Sequence, residues 1–381
     1  MSKKTLHECA IITMGQSPNS KSYNGHGDGL PFYQGNADFG EINPIRRYYC
    51  NKPSKIANRN DILLSVRAPI GAVNIAVETC CIGRGLCAIS EKRDITYYKY
   101  LYYFLLSRHT ELNSKGTGST FKAISKSILL ELSISLPPIE EQKRISRILD
   151  KVHDLISLKK KQISKLDLLV KSRFVEMFGD PISNSMGWEK ILCKNIMSKI
   201  GSGATPKGGN ENYKKEGISL IRSMNVHNDR FEYKDLAYID DEQAGKLNYV
   251  KIEENDVLLN ITGASVARCC VVPKEIIPAR VNQHVSILRC RKDILPSFLS
   301  KQFTNKSFQM LLLNIATSGG ATREAISKQQ IEDIAVIVPP IELQNQFADF
   351  VQQIDKLKFE LQKNINELTT LYNALMQKYF G

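Results

Sequence analysis

The sequence predicts an α/β (α+β) fold in which two mixed globular domains are separated by an antiparallel pair of long coiled-coil-like helices, with a pseudo-twofold internal repeat. Three observations predict this fold. One segment of the chain occurs twice, each copy has an unbroken helical pattern, and the sequence around the copies is rich in strand signals. The chain has 381 residues, and that length favours two domains over one.

The repeat is the strongest of these observations. Residues 136–179 align without a gap to residues 338–381, and the copies begin with PPIEEQ and PPIELQ after one residue and end in Phe-Gly. An A-I-S-K element precedes each copy at the same offset, at 123–126 and 325–328. We therefore divide the chain into a domain at 1–135, a central long helix at 136–180, a second domain at 181–337 and a C-terminal long helix at 338–381.

Each copy has the features of one long helix. The prolines suit a helix start, where a missing N–H costs nothing, and Glu140 and Glu141 lie in the first turn, where the helix dipole favours acidic residues. Forty residues at 1.5 Å per residue give a rod of about 60 Å. An apolar stripe at three- and four-residue steps predicts that the two helices pair with each other, with the domains at opposite ends. The alternative is that each helix packs on its own domain in a bundle. The stripe comprises Ile145, Ile148, Val152, Leu155, Leu166 and Leu169.

The two remaining segments are typical of mixed domains rich in β structure. Runs of β-branched and aliphatic residues between turn signals predict strands. We expect helices at 97–107 and 294–314. The predicted strands are DILLSV (61–66), VNIAV (73–77), DVLLNI (256–261), CCVVP (269–273) and VSILR (285–289).

Charge favours a polyanionic partner. The formal net charge is +13, of which +7 lies on residues 1–135 and +4 on residues 181–337. Nucleic acid is the commonest polyanion, and basic residues clustered on a domain are its electrostatic footprint. A protein–nucleic acid interface on the two domains is therefore the first hypothesis.

Several other classes of protein and site are disfavoured by the sequence. We expect no membrane span, no secretion signal and a cytoplasmic location. The nine cysteines lack zinc-ligand spacing and are expected to be reduced thiols, and the six histidines have no obvious ligand spacing. The run GSGATPKGG lacks the end of a phosphate-binding loop. We expect no catalytic residue, no metal and no cofactor bound by this chain, so an adaptor is favoured over an enzyme.

The paired PPIEEQ and PPIELQ segments, each preceded by A-I-S-K, resemble the specificity (S) subunit of type I restriction–modification systems over essentially the whole chain. The resemblance implies two target-recognition domains that bind a bipartite, asymmetric double-stranded DNA site. It also implies two adenine-N6 methyltransferase (M) subunits that carry S-adenosylmethionine, and restriction (R) subunits that use ATP and Mg. Catalysis would belong to these partners, and helix length would set the spacer between the half-sites. Gln344 follows Leu343 where the first copy has Glu141 before Gln142, a small departure from the pattern.

Candidate DNA contacts follow from side-chain chemistry, because Arg and Lys suit guanine while Asn and Gln suit adenine. Sequence alone does not separate contacts with phosphates from contacts with bases. In the first domain the candidates are Lys21, Arg46, Arg47, Arg67, Arg84, Lys122 and Lys126. In the second domain they are Lys207, Arg222, Asn225, Arg268, Arg280, Asn282, Gln283, Arg323 and Lys328.

Three alternatives stay open at this point. The chain could be a self-sufficient DNA methyltransferase or nuclease with its site hidden in one domain. It could be a coiled-coil scaffold that binds only proteins. It could also be a specificity subunit in a related phage-defence assembly with different partners.

Overall fold

The computed structural model describes residues 2–117, 122–206, 209–318 and 324–381. The chain divides into two compact units, Met1–Lys161 with Gln362–Gly381, and Gln162–Leu361. The first unit contains the start of one long helix and the end of the other, and the second unit contains the remaining parts. Antiparallel pairing of the two helices requires this division, because it brings the start of each helix beside the end of the other. The mixed fold with a long helix between the domains is confirmed, and the four predicted segment boundaries stay a prediction.

The first domain and the first long helix contain eleven strands and five helices among the described residues. In chain order they are β1 (Ser2–Thr5), α1 (Leu6–Cys9), β2 (Ala10–Met14), β3 (Tyr23–Asn24), β4 (Leu30–Tyr33), β5 (Tyr48–Cys50), β6 (Ile56–Ala57), β7 (Ile62–Ser65), β8 (Val73–Ile75), β9 (Cys80–Ile82), β10 (Leu86–Glu91), α2 (Tyr98–Ser107), α3 (His109–Ser114), α4 (Lys126–Leu130), β11 (Ser133–Leu136) and α5 (Ile139–Phe178).

The second domain and the second long helix contain eleven strands and six helices within the described ranges. They are β12 (Lys190–Leu192), α6 (Cys193–Ile196), β13 (Met197–Ser202), β14 (Ile218–Ile221), β15 (Val226–His227), β16 (Arg230–Phe231), β17 (Ala237–Ile239), α7 (Asp241–Lys246), β18 (Val257–Asn260), β19 (Cys269–Val271), β20 (Ala279–Val281), β21 (Val285–Cys290), α8 (Pro296–Phe303), α9 (Lys306–Thr317), α10 (Lys328–Glu332), β22 (Ala335–Ile337) and α11 (Ile341–Phe380).

The two domains share one sheet plan. An antiparallel sheet has the order β2-β10-β7-β8 in the first domain and β13-β21-β18-β19 in the second. Each domain also has one parallel strand pair, β4 with β9 and β14 with β20. The carboxyl ends of parallel strands meet at one sheet edge, so the loops that follow each pair lie together. The predicted strands are confirmed in position, although each is shorter by one or more residues or shifted at one end.

The segment at 294–314 is helical as predicted, and it contains two helices, α8 and α9. The side chain of Asn305 accepts a hydrogen bond from the Ser307 N–H at 3.0 Å and so caps the start of α9. Asn is a preferred residue at such a start because its side chain satisfies a free backbone N–H. The apolar pattern continues across the break, which is why the periodicity did not reveal it.

A buried glutamine attaches the start of each long helix to its domain. Gln142 accepts a hydrogen bond from the Tyr97 N–H at 2.9 Å and donates to the carbonyls of Ile95 and Pro137, both at 2.9 Å. Gln344 has the same three partners in the second unit, the Leu295 N–H and the carbonyls of Asp293 and Pro339. Both side chains are almost fully buried. The last residue of each PPIEEQ-type segment therefore satisfies backbone groups that burial would otherwise leave unpaired.

The ends of the long helices are also capped by domain side chains. In the first unit, Arg108 donates to the carbonyl of Phe380 at 2.6 Å, and the Phe380 ring packs 4.9 Å from that of Tyr100. In the second unit, Trp188 donates from its indole N–H to the carbonyl of Phe178 at 2.9 Å. The last carbonyls of a helix lack partners within the helix. The repeated Phe-Gly ends are thus fixed at both sites.

The predicted apolar stripe is buried only in part. Ile145 and Leu149 lie in the core of the first unit and Val152 is buried. The exposed fraction of Leu155, by contrast, is 45% and that of Leu169 is 47%. Their repeat equivalents in α11, Leu357 and Leu371, are also exposed. The periodicity correctly predicted both long helices, but the leucines at these four positions are exposed and not buried in a core.

Replacing the buried glutamine should destabilise its unit. We expect Gln142→Leu to lower the free energy of unfolding by about 1–3 kcal/mol, because the Tyr97 N–H would lose its partner inside the protein. Urea unfolding followed by circular dichroism measures this change. The matched control Gln162→Leu, at an exposed position of α5, should change it by less than about 0.5 kcal/mol. Equal effects of the two variants would contradict the assigned role of Gln142.

Candidate nucleic-acid interface

The first domain has an open concavity of about 760 Å³ where the loops after β4, β7 and β9 meet. Three of the predicted residues line it: Arg47, Arg67 and Arg84. All three side chains are exposed. Among the described residues, no hydrogen bond or ion pair uses their guanidinium groups, so their donors are available to a ligand.

Backbone hydrogen bonds fix the loops that carry two of these arginines. The Gly83 N–H donates to the Tyr33 carbonyl at 2.8 Å, and the Gly85 N–H donates to the Gln34 carbonyl at 3.2 Å. A Cβ atom on Gly85 would lie 2.4 Å from that carbonyl oxygen, so only glycine fits beside Arg84. On the loop after β7, the Ser65 hydroxyl lies 2.9 Å from the carbonyl oxygens of Arg67 and Pro69.

The second domain has an open concavity of about 730 Å³ at the corresponding loops, lined by Thr262, Arg268, His284 and Glu324 among others. The A-I-S-K elements establish the correspondence. The Ile124 N–H donates to the Val66 carbonyl at 2.9 Å, and the Ile326 N–H donates to the Ile261 carbonyl at 2.8 Å. The serine that follows each isoleucine caps a short helix. A-I-S-K therefore pairs with the end of the equivalent strand in both domains, next to the loop that contributes to each concavity.

The second concavity differs from the first in chemistry. Its histidine, His284, contacts the Thr262 hydroxyl through Nδ1 at 2.5 Å and the Gln283 amide nitrogen through Nε2 at 3.1 Å. The Thr205 hydroxyl in turn donates to the Gln283 amide oxygen. Arg268 lies 3.5 Å from a ring nitrogen of His227. A polar network thus occupies the place that free arginines occupy in the first domain.

Five other predicted residues lie at the surface away from the lining of either concavity. Arg46 forms an ion pair with Glu78 at 2.6 Å, and Lys328 forms one with Glu332 at 3.5 Å. The remaining three are exposed and stay predictions as DNA contacts: Lys21, Lys122 and Lys126.

Three predicted contacts lie in the interior, where direct readout of a base is excluded in this conformation. Asn225 donates to the Glu232 carbonyl at 2.9 Å, and Asn282 accepts from the His284 N–H at 3.0 Å. Arg280 donates to the Ala244 and Ala279 carbonyls and to the side chain of Asn248, and burial lowers its pKa. Their polar groups are used to hold loops, a role that the residue type alone did not reveal.

Three predicted DNA contacts remain to be placed: Arg222, Lys207 and Arg323. Arg222 is half-buried, donates to the Asp235 carbonyl and lies with its guanidinium carbon 5.3 Å from the centre of the Tyr213 ring. Lys207 and Arg323 lie outside the described residues.

Sequence reasoning missed Thr262 and His284 as lining residues. The sequence does carry a signal for Thr262, because Asn60-Asp61 recurs 195 residues later as Asn255-Asp256, and the same spacing takes Arg67 to Thr262. His284 has no such signal, since only the fold places it beside Thr262.

Neither metal nor thiol chemistry is indicated. Among the described residues, no group of three histidine, cysteine or acidic side chains could hold a metal ion. The nine cysteines form no disulfide, and burial raises the pKa of Cys9 to about 11 and that of Cys80 to about 12. Both thiols are therefore protonated at neutral pH. Within the same residues, no helix combines the length and hydropathy of a membrane span.

The comparisons with known proteins agree on one protein family. The family model described as "Type I restriction modification DNA specificity domain" matches residues 1–168 and 186–370. The putative type I restriction enzyme MjaX specificity subunit of Methanocaldococcus jannaschii is 46% identical over 156 residues, which is 41% of this chain and 37% of that protein. The EcoBI specificity subunit of Escherichia coli is 22% identical over 98% of this chain and 83% of its own length.

A solved structure shows the same fold. The S subunit of a type I restriction–modification system from M. genitalium superposes with a TM-score of 0.61 at 17% identity, over 100% of this chain and 96% of that chain. At this identity the likeness concerns the fold alone.

Substitution should lower the free energy of unfolding more at the buried Arg280 than at the exposed Arg67. We expect Arg280→Met to lower the free energy of unfolding by about 1–3 kcal/mol, because two buried carbonyls and Asn248 would lose a donor. Arg67→Met should change it by less than about 0.5 kcal/mol. Urea unfolding of both variants checks this difference. A stable Arg280→Met protein with impaired DNA binding would contradict the structural role given to Arg280.

Proposed function

From the premise that this chain belongs to the family of type I restriction–modification DNA specificity subunits, we propose that it binds a bipartite, asymmetric DNA site, one half-site per domain. The two corresponding concavities carry this proposal. They share a backbone framework at equivalent loops, and their side chains differ. A common framework with different linings suits two readers of unlike sequences.

The proposal places catalysis in partner subunits. Two M subunits would supply S-adenosylmethionine and transfer the methyl group to adenine N6, and R subunits would supply ATP- and Mg-dependent cleavage. This chain would bind no cofactor and would act as the non-catalytic adaptor. Membership of a family of specificity subunits supports this division of labour.

The long helices offer a surface for the M subunits. Leu155 and Leu357 are exposed at equivalent positions of the repeat, and so are Leu169 and Leu371. Their support for this surface is that the exposure recurs at equivalent positions of the two copies. Two equivalent surfaces would suit two copies of one partner.

Binding to DNA should be direct and sensitive to salt. We expect the purified full chain to bind duplex DNA with an affinity that falls as salt concentration rises, because Lys and Arg contacts with phosphates release counterions. Fluorescence anisotropy with a random-sequence duplex measures this, and selection from a randomised pool should then yield two half-sites.

Two results would contradict the proposal in different ways. Absence of DNA binding would favour the protein scaffold. Methyl transfer from S-adenosylmethionine by the purified chain alone would favour a self-sufficient enzyme. Co-purification with partners separates a type I assembly from another defence assembly.

Helix length should set the spacer between the half-sites. We expect insertion of four residues into both α5 and α11 to lengthen the spacer by about one or two base pairs, since one turn adds about 5.4 Å and DNA rises about 3.4 Å per base pair. Both half-sites should stay unchanged. Selection from a randomised pool measures this, and changed half-sites with an unchanged spacer would contradict the expectation.

A further inference from the structure

We infer that the first domain recognises guanine through Arg67 and Arg84. The inference rests on the proposed function, because it assumes that the first concavity receives the edge of a DNA groove. It adds the class of base that this domain selects.

The first support for this inference is that the guanidinium donors of Arg67 and Arg84 are unpaired among the described residues. Two other arginines of the first domain are paired, Arg46 with Glu78 and Arg108 with Glu111. Arg67 and Arg84 have no such partner in the described part of the chain. The acidic residue at the concavity, Asp38, is 5% exposed and accepts the Gln34 N–H at 2.7 Å. Its carboxylate is used by the protein backbone, and the other charged side chains that line the concavity are arginines.

The second support is that hydrogen bonds fix the backbone of the loops that carry Arg67 and Arg84. The glycines on either side of Arg84 are bonded to the loop after β4, and the carbonyl of Arg67 lies against the Ser65 hydroxyl. A side chain rooted in a fixed backbone loses less entropy when it binds and can discriminate by geometry. A phosphate contact needs only charge, whereas readout of a base edge needs this placement.

The chemistry of the base edges then selects guanine. Guanine presents two acceptors, O6 and N7, in the major groove, and these match the fork of a guanidinium group. Adenine and cytosine each present an amino donor there, which a guanidinium cannot accept. Contacts through the two guanidinium groups therefore favour guanine over either base.

The second domain provides the contrast. Thr262 occupies the position of Arg67, and Gln283 follows the second parallel strand where Arg84 follows the first. Thr262 and Gln283 are engaged in the network around His284. Dependence on guanine through arginines at these two loop positions is thus expected in one half-site only.

The test uses the full chain and the duplex selected from a randomised pool. Each guanine is replaced in turn by 7-deazaguanine, which lacks the N7 acceptor. We expect the wild-type chain to lose affinity by roughly 5- to 150-fold at one or two guanines of one half-site. Arg67→Ala or Arg84→Ala should abolish the loss at one of these guanines, because the contact is already absent.

Two controls separate base contacts from charge and from misfolding. Arg59→Ala removes an exposed arginine of the same domain that does not line the concavity, and this variant should keep the full sensitivity to 7-deazaguanine. Arg67→Lys keeps the charge but lacks the planar fork, so it should retain the salt dependence of binding and weaken the guanine preference.

Three results would overturn the inference. Selection of a bipartite site without sensitivity to 7-deazaguanine would overturn it and leave the proposed function intact. Unchanged sensitivity in both alanine variants would do the same. Absence of any sequence selection would overturn the proposed function and this inference together.

Discussion

The hydrogen bonds of one buried glutamine at the start of each long helix are the constraint on which the rest depends. Gln142 and Gln344 each join the helix start to a backbone N–H and a carbonyl of the adjoining domain. A long helix that was free to swivel on its domain could not hold a reading surface in a defined orientation. The amide group fixes that orientation because each of its bonds is made where water cannot replace it.

Each of the two concavities combines a structural framework with a separate lining of side chains. The framework is made of backbone hydrogen bonds and the A-I-S-K element, which are equivalent in the two domains. The linings are made of side chains that project from this framework. Such a division allows a lining to change while the fold persists, because the substituted side chains carry little of the packing energy.

Much of the fold could be predicted from the sequence because the repeat and the helical periodicity are local signals. PPIEEQ and PPIELQ indicated both helix starts, and the strand runs at 61–66 and 256–261 were correctly placed. The break at Asn305 and the exposure of Leu155 and Leu357 could not be predicted, since both depend on which surfaces meet in three dimensions. The site was predictable only in part for the same reason. Arg67 and Arg84 belong to recognisable glycine-containing turns, whereas the burial of Arg280 and the network around His284 arise from tertiary contacts.

The most direct test of the central claim is the methylation pattern of DNA from cells that contain this gene and its methyltransferase partners, compared with cells from which only this gene is deleted. The account predicts methylated adenines in one bipartite motif with two unlike halves and a fixed gap, and loss of that motif on deletion. A continuous motif, two identical halves or a pattern that survives the deletion would contradict it.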